Sequence, residues 1–573
     1  MNIFSHIRNI ILKIIKNIYP EITSIKNLTL EFPKNSFYGD LSTNAAIILS
    51  KLTSQQPRFI ADQISEVLKK YDFIKNVEIA GPGFINIILK KEFWYKFLKE
   101  VLKSQENYSK LNVGHGKKVN IEFVSANPTG PLHLGHVRGA IYGDALARLL
   151  TAAGFNVTKE YYTNDSGRQI DLLANSLFIR YQQELGEKID MPKGVYPGNY
   201  LKNMAKELHK EYEKNILEYN DKKRKNFLKK YAVDKIMTTI KADLASINVV
   251  HDIFVSEQQL LNDGKVESAI KKLTKKGFTY KGILDAPKGK TPEDWEPVEQ
   301  LLFKSTEFGD DVDRPIQRSD GTYTYFSTDI AYHKDKIDRG FNEMVLLLGA
   351  DHEGYIKRMK AVVNALSDGK ASIDVKISQM VNLLKEGKVV KMSKRSGNFV
   401  TLKEMVDEIG ADSLRFAFLT KKLDTTLDID IEKIKEQSKD NPIFYIQYAS
   451  ARTYSIARRA KNLGINLENL EDANHQLLNT EYDITLIKQI ALLPKVLESS
   501  VNLHEPHRIT YYLYDLAEKF HSIWTQGNRD NTLKFIIENN HELTKARVSL
   551  AECIKIVIAI CLNTLGIKPV KEM

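Results

Sequence analysis

The sequence predicts an α/β protein, with a parallel-sheet core between an α+β region at the N-terminus and an all-α region at the C-terminus. Three observations carry that expectation. Residues 120–154 run strand, loop, helix, and residues 157–162 follow as a second strand, an order that builds a parallel sheet. Ahead of them, two apolar strands meet at Gly81-Pro82-Gly83, a hairpin by its turn residues. Beyond Asn441-Pro442, a cap and first-turn pair, helical periodicity continues almost unbroken to Met573.

Taken in order, residues 1–110 open on an amphipathic helix rich in Ile and Lys. A loop at 33–43 (PKNSFYGDLST) follows, then a helix beginning near Asn44, a third helix and the hairpin. At 120–123, Ile121 and Phe123 alternate with Asn120 and Glu122, the period of a strand. Pro128 to Pro131 bar a helix, and from Leu134 the spacing of Val137, Ile141, Ala145, Leu146, Leu149 and Leu150 demands one, with Gly154 as its stop. Residues from about 170 to 245 are helical and rich in Lys and Glu, an insertion into the sheet. Strand-like segments return at 322–327, after the Asp320-Gly321 turn, and at 343–348, before Gly349-Ala350-Asp351-His352. Residues 381–394 form a hairpin turning at Glu386-Gly387, and helices begin at 410–419.

At 573 residues the chain needs three or four domains, and 43% hydrophobic with 27% charged residues is an ordinary globular composition. A net charge of +11 favours a polyanionic partner, though a composition rich in Lys, Ile and Asn makes the charge supporting evidence alone. Cys553 and Cys561 stand alone in one apolar helical stretch, so neither a thiolate zinc site nor a disulfide framework is expected. The N-terminal stretch carries Lys or Arg at helical spacing and reads as part of the fold rather than a leader. No run approaches a membrane span, so a cytoplasmic protein with no membrane partner is expected.

Two loops carry the chemistry. His133 and His136 fall where a loop enters a helix, a place where free N–H groups and the helix dipole favour an anion, and Gly135 lets a ligand come close. Far downstream, Lys391-Met392-Ser393-Lys394-Arg395-Ser396-Gly397-Asn398 make a basic loop, in which Lys394 can follow charge as it builds on a phosphate. Taken singly, each loop is explained as well by solvated surface residues. Both in this order, each at a strand-to-loop exit, suit a nucleoside triphosphate.

His133-Leu134-Gly135-His136 resembles the HIGH signature of class I aminoacyl-tRNA synthetases, and Lys391 to Arg395 their KMSKS loop. The surrounding strings resemble the bacterial type of arginyl-tRNA synthetase over nearly the whole chain. The fifth loop residue is Arg395 rather than serine, which agrees with the arginyl pattern. The resemblance implies an N-terminal additional tRNA-binding domain (1–110) and a Rossmann-type catalytic domain (111–400) with a helical insertion at about 170–310. Linking helices that contact the tRNA stem (401–440) and a helical anticodon-binding domain (441–573) would follow. It implies activation of arginine by ATP, transfer to tRNA(Arg), and a need for bound tRNA in the first step. The partners are then arginine, ATP with Mg²⁺ as a substrate complex, and tRNA(Arg). No structural zinc or other metal site is expected, and a monomer is.

The site residues follow. A substrate carboxylate needs no base to become a nucleophile, so catalysis rests on positioning and on donors aimed at the phosphates. His133, His136, Lys391 and Lys394 have that role by resemblance, with Gly135, Gly349, Asp351 and Met392 as further ATP contacts. A guanidinium calls for carboxylates and a hydroxyl. The resemblance places Glu122, Ser125, Asn127, His133, Tyr325, Asp329 and His352 around arginine, with Tyr325 and Asp329 on one helix face at i and i+4. For tRNA it offers Phe37, Tyr38 and Asn86 near the N-terminus. On the helix at 444–461, where aromatics interleave with arginines, it offers Tyr445, Tyr448, Arg452 and Arg459. His333 reads as structural, the acids Asp310, Asp311 and Asp313 as an exposed turn, and the run Lys222 to Lys225 as a solvated helix face. The alternatives are a class I synthetase of another specificity and a non-catalytic tRNA-binding scaffold. A glutamyl-type pocket would want basic residues where Glu122 and Asp329 stand, and a scaffold has no need of both signatures.

Overall fold

A computed structural model describes residues 2–33, 35–284, 297–385, 387–389 and 400–573. The chain divides into two compact units, one of Asn112–Glu436 and one built from both Met1–Leu111 and Gln437–Met573.

The Asn112–Glu436 unit is organised by a five-stranded parallel sheet. In chain order its elements are β1 (Lys118–Glu122), α1 (Leu134–Ala152), β2 (Asn156–Thr163), β3 (Ile253–Ser256), α2 (Tyr325–Asp338), β4 (Glu343–Gly349), α3 (Tyr355–Ser367) and β5 (Ser372–Ser378). The strands lie in the order β5-β4-β1-β2-β3, every neighbouring pair parallel. The chain winds outward from β1 to β3, then crosses back to lay β4 and β5 on the other side. Winding therefore reverses between β1 and β4, and the loops leaving those two strands part to form a crevice at their carboxyl ends. Val119, Asn120, Ile121 and Glu122 are all buried, as befits a strand covered on both faces. Helix α1 is buried nearly all round, and Gly143 lets it close on the sheet, since a Cβ there would lie 2.3 Å from the Phe123 ring.

Two expectations need correction. Residues 322–327 are not a strand: Tyr323 makes an isolated bridge to Gln317, and helix α2 starts at Tyr325. The alternating Thr-Tyr-Thr-Tyr favours a strand locally, but burial of Phe326, Ile330 and Ala331 on one helical face decides the outcome. The insertion at about 170–310 is not helical throughout. Helices Arg168–Glu184, Asn199–Tyr212 and Asp221–Ser246 fill its first part, and the chain then rejoins the main sheet as β3. A second excursion follows, with helices Glu257–Asn262 and Lys265–Lys275 and an antiparallel sheet of Thr279–Gly282, Gln300–Phe303 and Arg314–Gln317. β3 escapes sequence reasoning because it has four residues, all half-buried, and so no alternation. The hairpin is present, Val381–Lys385 pairing with Lys388–Val389 so that Lys385 faces Lys388.

In the other unit, helix Ile3–Ile18 accompanies a four-stranded sheet that includes the expected hairpin, Ile74–Ala80 against Phe84–Leu89. The C-terminal part is the all-α bundle of α4 (Pro442–Asn462), α5 (Glu481–Leu503), α6 (His507–Gly527) and α7 (His541–Thr564), and the Asn441 side chain caps α4. The N-terminal segment is sewn to this bundle. Tyr95 donates its hydroxyl to Leu478 O (3.1 Å), Tyr108 to Ile490 O (3.3 Å), and the buried thiol of Cys553 donates to Leu98 O (3.6 Å).

Candidate active site

His133 is the N-cap of α1 and His136 stands in its first turn, so the helix start and the histidine pair are one structure. His133 Nδ1 accepts the Gly135 N–H at 3.2 Å, and His136 Nδ1 accepts the His133 N–H at 3.4 Å, a capping box made of imidazoles. With both Nδ1 atoms accepting, the proton of each neutral ring is on Nε2, and each ring turns an N–H donor away from the helix. The rings stack with centroids 3.9 Å apart. Gly135 is exposed, and a Cβ on it would press to 3.1 Å from His133 Cε1. Glycine thus keeps the cap in place and the approach open.

Glu122 closes β1 just before a strained turn. Val124 and Ser125 have φ of 70° and 37°, and the Ser125 N–H donates to Phe123 O at 3.0 Å, closing a γ-turn about a β-branched residue. Such backbone persists where its surroundings over-determine it. Here Ser125 Oγ donates to Glu122 Oε1 (3.0 Å) and accepts the Tyr162 N–H (3.0 Å), while Tyr161 donates its hydroxyl to Ala126 O (2.8 Å). The other Glu122 oxygen, Oε2, lies 2.6 Å from Lys336 Nζ, with both side chains buried. Beside Glu122 in register on β2 stands Glu160, also buried. Arg339 grips Glu160 with two bonds of 2.7 and 3.0 Å, and Asn120 adds a third at 2.9 Å. Burial works to raise the Glu160 carboxyl, but the Arg339 and Lys336 charges prevail and hold it below the usual range.

Helix α2 brings the remaining carboxylate. Tyr325 is exposed at the first helical position, and one turn later Asp329 is half-buried. Burial, then the charges of Glu122 and Glu257, push the Asp329 carboxyl up to about 7, against a weaker downward pull from Arg358. Glu257 was not singled out from sequence. It is buried at the start of its helix with Oε2 unpartnered, and burial raises its carboxyl against a downward pull from the Ser166 hydroxyl, with Asp165 adding a smaller upward push. Asn127 is half-buried and donates to Gln169 Oε1 at 2.9 Å. His333 is the structural residue expected, with Nδ1 2.8 Å from Asp329 O and burial lowering its ring to about 4. Gly349, Asp351 and His352 are exposed where β4 ends, on the other side of the crevice from the histidines.

Lys391, Met392 and Lys394 lie outside the described residues, but the segments on both sides of their loop are anchored at the histidine site. Leu402 N–H donates to Leu132 O at 3.1 Å, and Thr401 bridges His133. Arg138, buried two residues after His136, donates to Gln379 O (3.0 Å) ahead of the hairpin and to Lys422 O (2.8 Å). The histidine signature and the segments that flank the basic loop, far apart in sequence, share one backbone framework.

Residues 97–436 match the family of class I tRNA synthetases (R), catalytic domain; residues 5–89 match the arginyl tRNA synthetase N terminal domain, and residues 446–573 the DALR anticodon binding domain. The arginine–tRNA ligase of Wolbachia sp. subsp. Brugia malayi is 48% identical over 573 residues, covering 100% of both chains. The chain belongs to the arginyl-tRNA synthetase family. The arginine–tRNA ligase of Rickettsia prowazekii is 46% identical, again over 100% of both chains. The arginyl-tRNA synthetase structure from Thermus thermophilus superposes with a TM-score of 0.74 at 18% identity, covering 100% of each chain, and so shares the fold.

As in any arginyl-tRNA synthetase, a nucleic-acid surface is required, and the candidates for it divide. Phe37 is 92% exposed and Tyr38 54%, on a short turn. Asn86 lies between Ser42 and the exposed Glu78, on the sheet face of Phe84 rather than that of the core residues Ile85 and Ile87, and its neighbours leave it 4% exposed. Arg452 is spent within the bundle, its guanidinium 4.1 Å from the Tyr448 ring and 4.7 Å from Trp524, with His521 Nδ1 2.8 Å away. Tyr445 is half-buried against His521 at 4.3 Å, whereas Tyr448 and Arg459 are exposed. Arg459 borders a cavity of about 100 Å³ with Trp524, Lys534 and Phe535. Among the described residues, no helix is long and apolar enough to cross a membrane, and no cluster of three His, Cys, Asp or Glu is set to hold a metal.

Proposed function

We propose that the chain is an arginine–tRNA ligase that first condenses arginine with ATP and then passes the arginyl group to the 3′ end of tRNA(Arg). In the first step the arginine carboxylate oxygen bonds to the α-phosphorus as the bond to the bridging oxygen breaks and pyrophosphate leaves. In the second, a terminal ribose hydroxyl attacks the acyl carbon and AMP leaves.

The observation that carries this is a stacked pair of Nε2–H donors at the carboxyl edge of the sheet, in the same unit as a carboxylate cluster of Glu122, Glu257 and Asp329. His133 and His136 donate to phosphate oxygens as charge develops, with Lys391 and Lys394 on the leaving pyrophosphate. Mg²⁺ comes as part of the ATP substrate. Gly135, Gly349, Asp351 and Met392 border the nucleotide. Asp329 and Tyr325 take the guanidinium, while Glu122, Ser125, Asn127 and His352 complete the arginine site. Phe37, Tyr38, Tyr448 and Arg459 meet tRNA, and activation waits for bound tRNA. The domains follow the expected division at about 110, 400 and 440, and the enzyme acts as a cytoplasmic monomer.

Arginine-dependent exchange of pyrophosphate into ATP, with and without tRNA(Arg), is the test. Exchange that appears with tRNA supports both activity and coupling. Exchange without tRNA removes the coupling alone, and no exchange in either case removes the enzyme.

A further inference from the structure

Glu122 is engaged at both oxygens, and the cation that engages it belongs to the protein. We propose that Lys336 is a positioning residue for arginine recognition, its ammonium 2.6 Å from Glu122 Oε2 holding that carboxylate toward the substrate without touching the substrate itself. The inference rests on the arginine site assigned above.

Glu122 and Glu160 are Cα partners on neighbouring parallel strands, both buried, so their charges repel at close range. The last turn of α2 and its C-cap supply an answer to each, Lys336 for Glu122 and Arg339 for Glu160. The two cations act differently. The Arg339 fork spans both Glu160 oxygens, and Asn120 takes a further site, which leaves that carboxylate committed to the fold. Lys336 makes a point contact with one Glu122 oxygen. Ser125 uses one site on the other, so of about four lone-pair sites on a carboxylate some remain for a ligand. Lys336 is itself immobilised, 1% exposed, with its ammonium 4.2 Å from the centre of the Tyr332 ring. The groups that face Glu122 are Asp329, Tyr332, His333 and Lys336 on α2, Glu160 and Tyr162 on β2, and Ser125 on its own turn. Arg339, the C-cap of α2, is held by Glu160 and Asp335. Without Lys336, Glu122 would be a buried carboxylate among acids with no cation to hold it in place.

The test measures arginine and ATP KM by pyrophosphate exchange with tRNA(Arg) present, in the full chain. Lys336→Met is expected to raise the arginine KM about tenfold at pH 7. The ATP KM should be unmoved. The double variant Glu122→Gln/Lys336→Met should match Glu122→Gln alone, because Lys336 acts through Glu122. A loss shared by ATP, or additive effects in the double variant, would overturn the proposal. If Lys336→Met does not fold, Lys336→Arg decides: the cation is kept, but its fork turns the Glu122 carboxylate and raises the arginine KM. An unchanged arginine KM there also overturns it. Absence of exchange in the unmodified chain counts against the assigned activity instead.

Discussion

The carbonyl of Leu132 accepts a 3.1 Å hydrogen bond from the N–H of Leu402, tying the residue before the His133 cap to the first turn after the basic loop. Leu402→Pro tests that tie cleanly. Proline suits the first helical position that Leu402 holds, and Thr401 at φ −77°, ψ 158° suits a residue before proline. Leu402→Ala loses the same buried side chain but keeps the N–H. Pyrophosphate exchange by the proline variant should fall about tenfold below the alanine variant at equal folded fraction. Equal rates would show that the two signatures do not depend on this bond.

Asp329 should make arginine binding release a proton. Its carboxyl sits at about 7 in the free site, and a guanidinium will pull it down, so affinity rises with pH up to about 7 and then levels. Calorimetry in buffers of different ionisation enthalpy reads the proton directly. The sign for stability is opposite. A folded value raised from 3.8 stabilises the fold fully below about 3.8 and is lost as pH rises through 7. Asp329→Asn should therefore gain Tm relative to the parent as pH goes from 5 to 8, while arginine binding weakens by about thirtyfold or more.

His133→Asn separates cap from chemistry. Asparagine caps a helix through its side-chain oxygen, as His133 does through Nδ1, but carries no group at the Nε2 position. The melting temperature should be nearly unchanged while the exchange rate drops by about 10²–10³, the cost of one transition-state donor. A parallel fall in both would assign His133 to the fold.

Arg452 and Arg459 should part company. Arg459 is exposed beside its cavity, and Arg459→Ala is expected to weaken tRNA binding and lower the salt slope by about one. Arg452 is packed over Tyr448 and Trp524, and Arg452→Ala should show first as a lowered Tm of the helical bundle.

What could be read from sequence was local chemistry. The strand at Ile121, the loop at Pro128 and the helix from Leu134 each follow from neighbouring residues, and the histidines fell with them into an anion-favouring helix start. Glu122 and Asp329 were legible as acids near that start, but not their state. The pairing of Glu122 with Lys336 spans 214 positions, and no spacing rule links them. Glu257 escaped notice in the sequence, because its burial comes from packing that a single helix does not reveal. The low exposure of Asn86 was not legible either, because the neighbours that cover it, Ser42 and Glu78, meet it only through strand pairing.

The unit made of Met1–Leu111 and Gln437–Met573 has a consequence for the ribosome. Tyr95, Leu98 and Tyr108 leave the exit tunnel early, yet their partners Leu478, Cys553 and Ile490 are among the last residues made. At about 5–20 residues per second, the first segment waits tens of seconds for them. During that wait the surface it will later bury stays open to solvent, while Asn112–Glu436 can close on itself. The part of the chain born first is finished last, and a nascent chain stalled before its final helices would hold a complete reaction centre beside an unfinished neighbour.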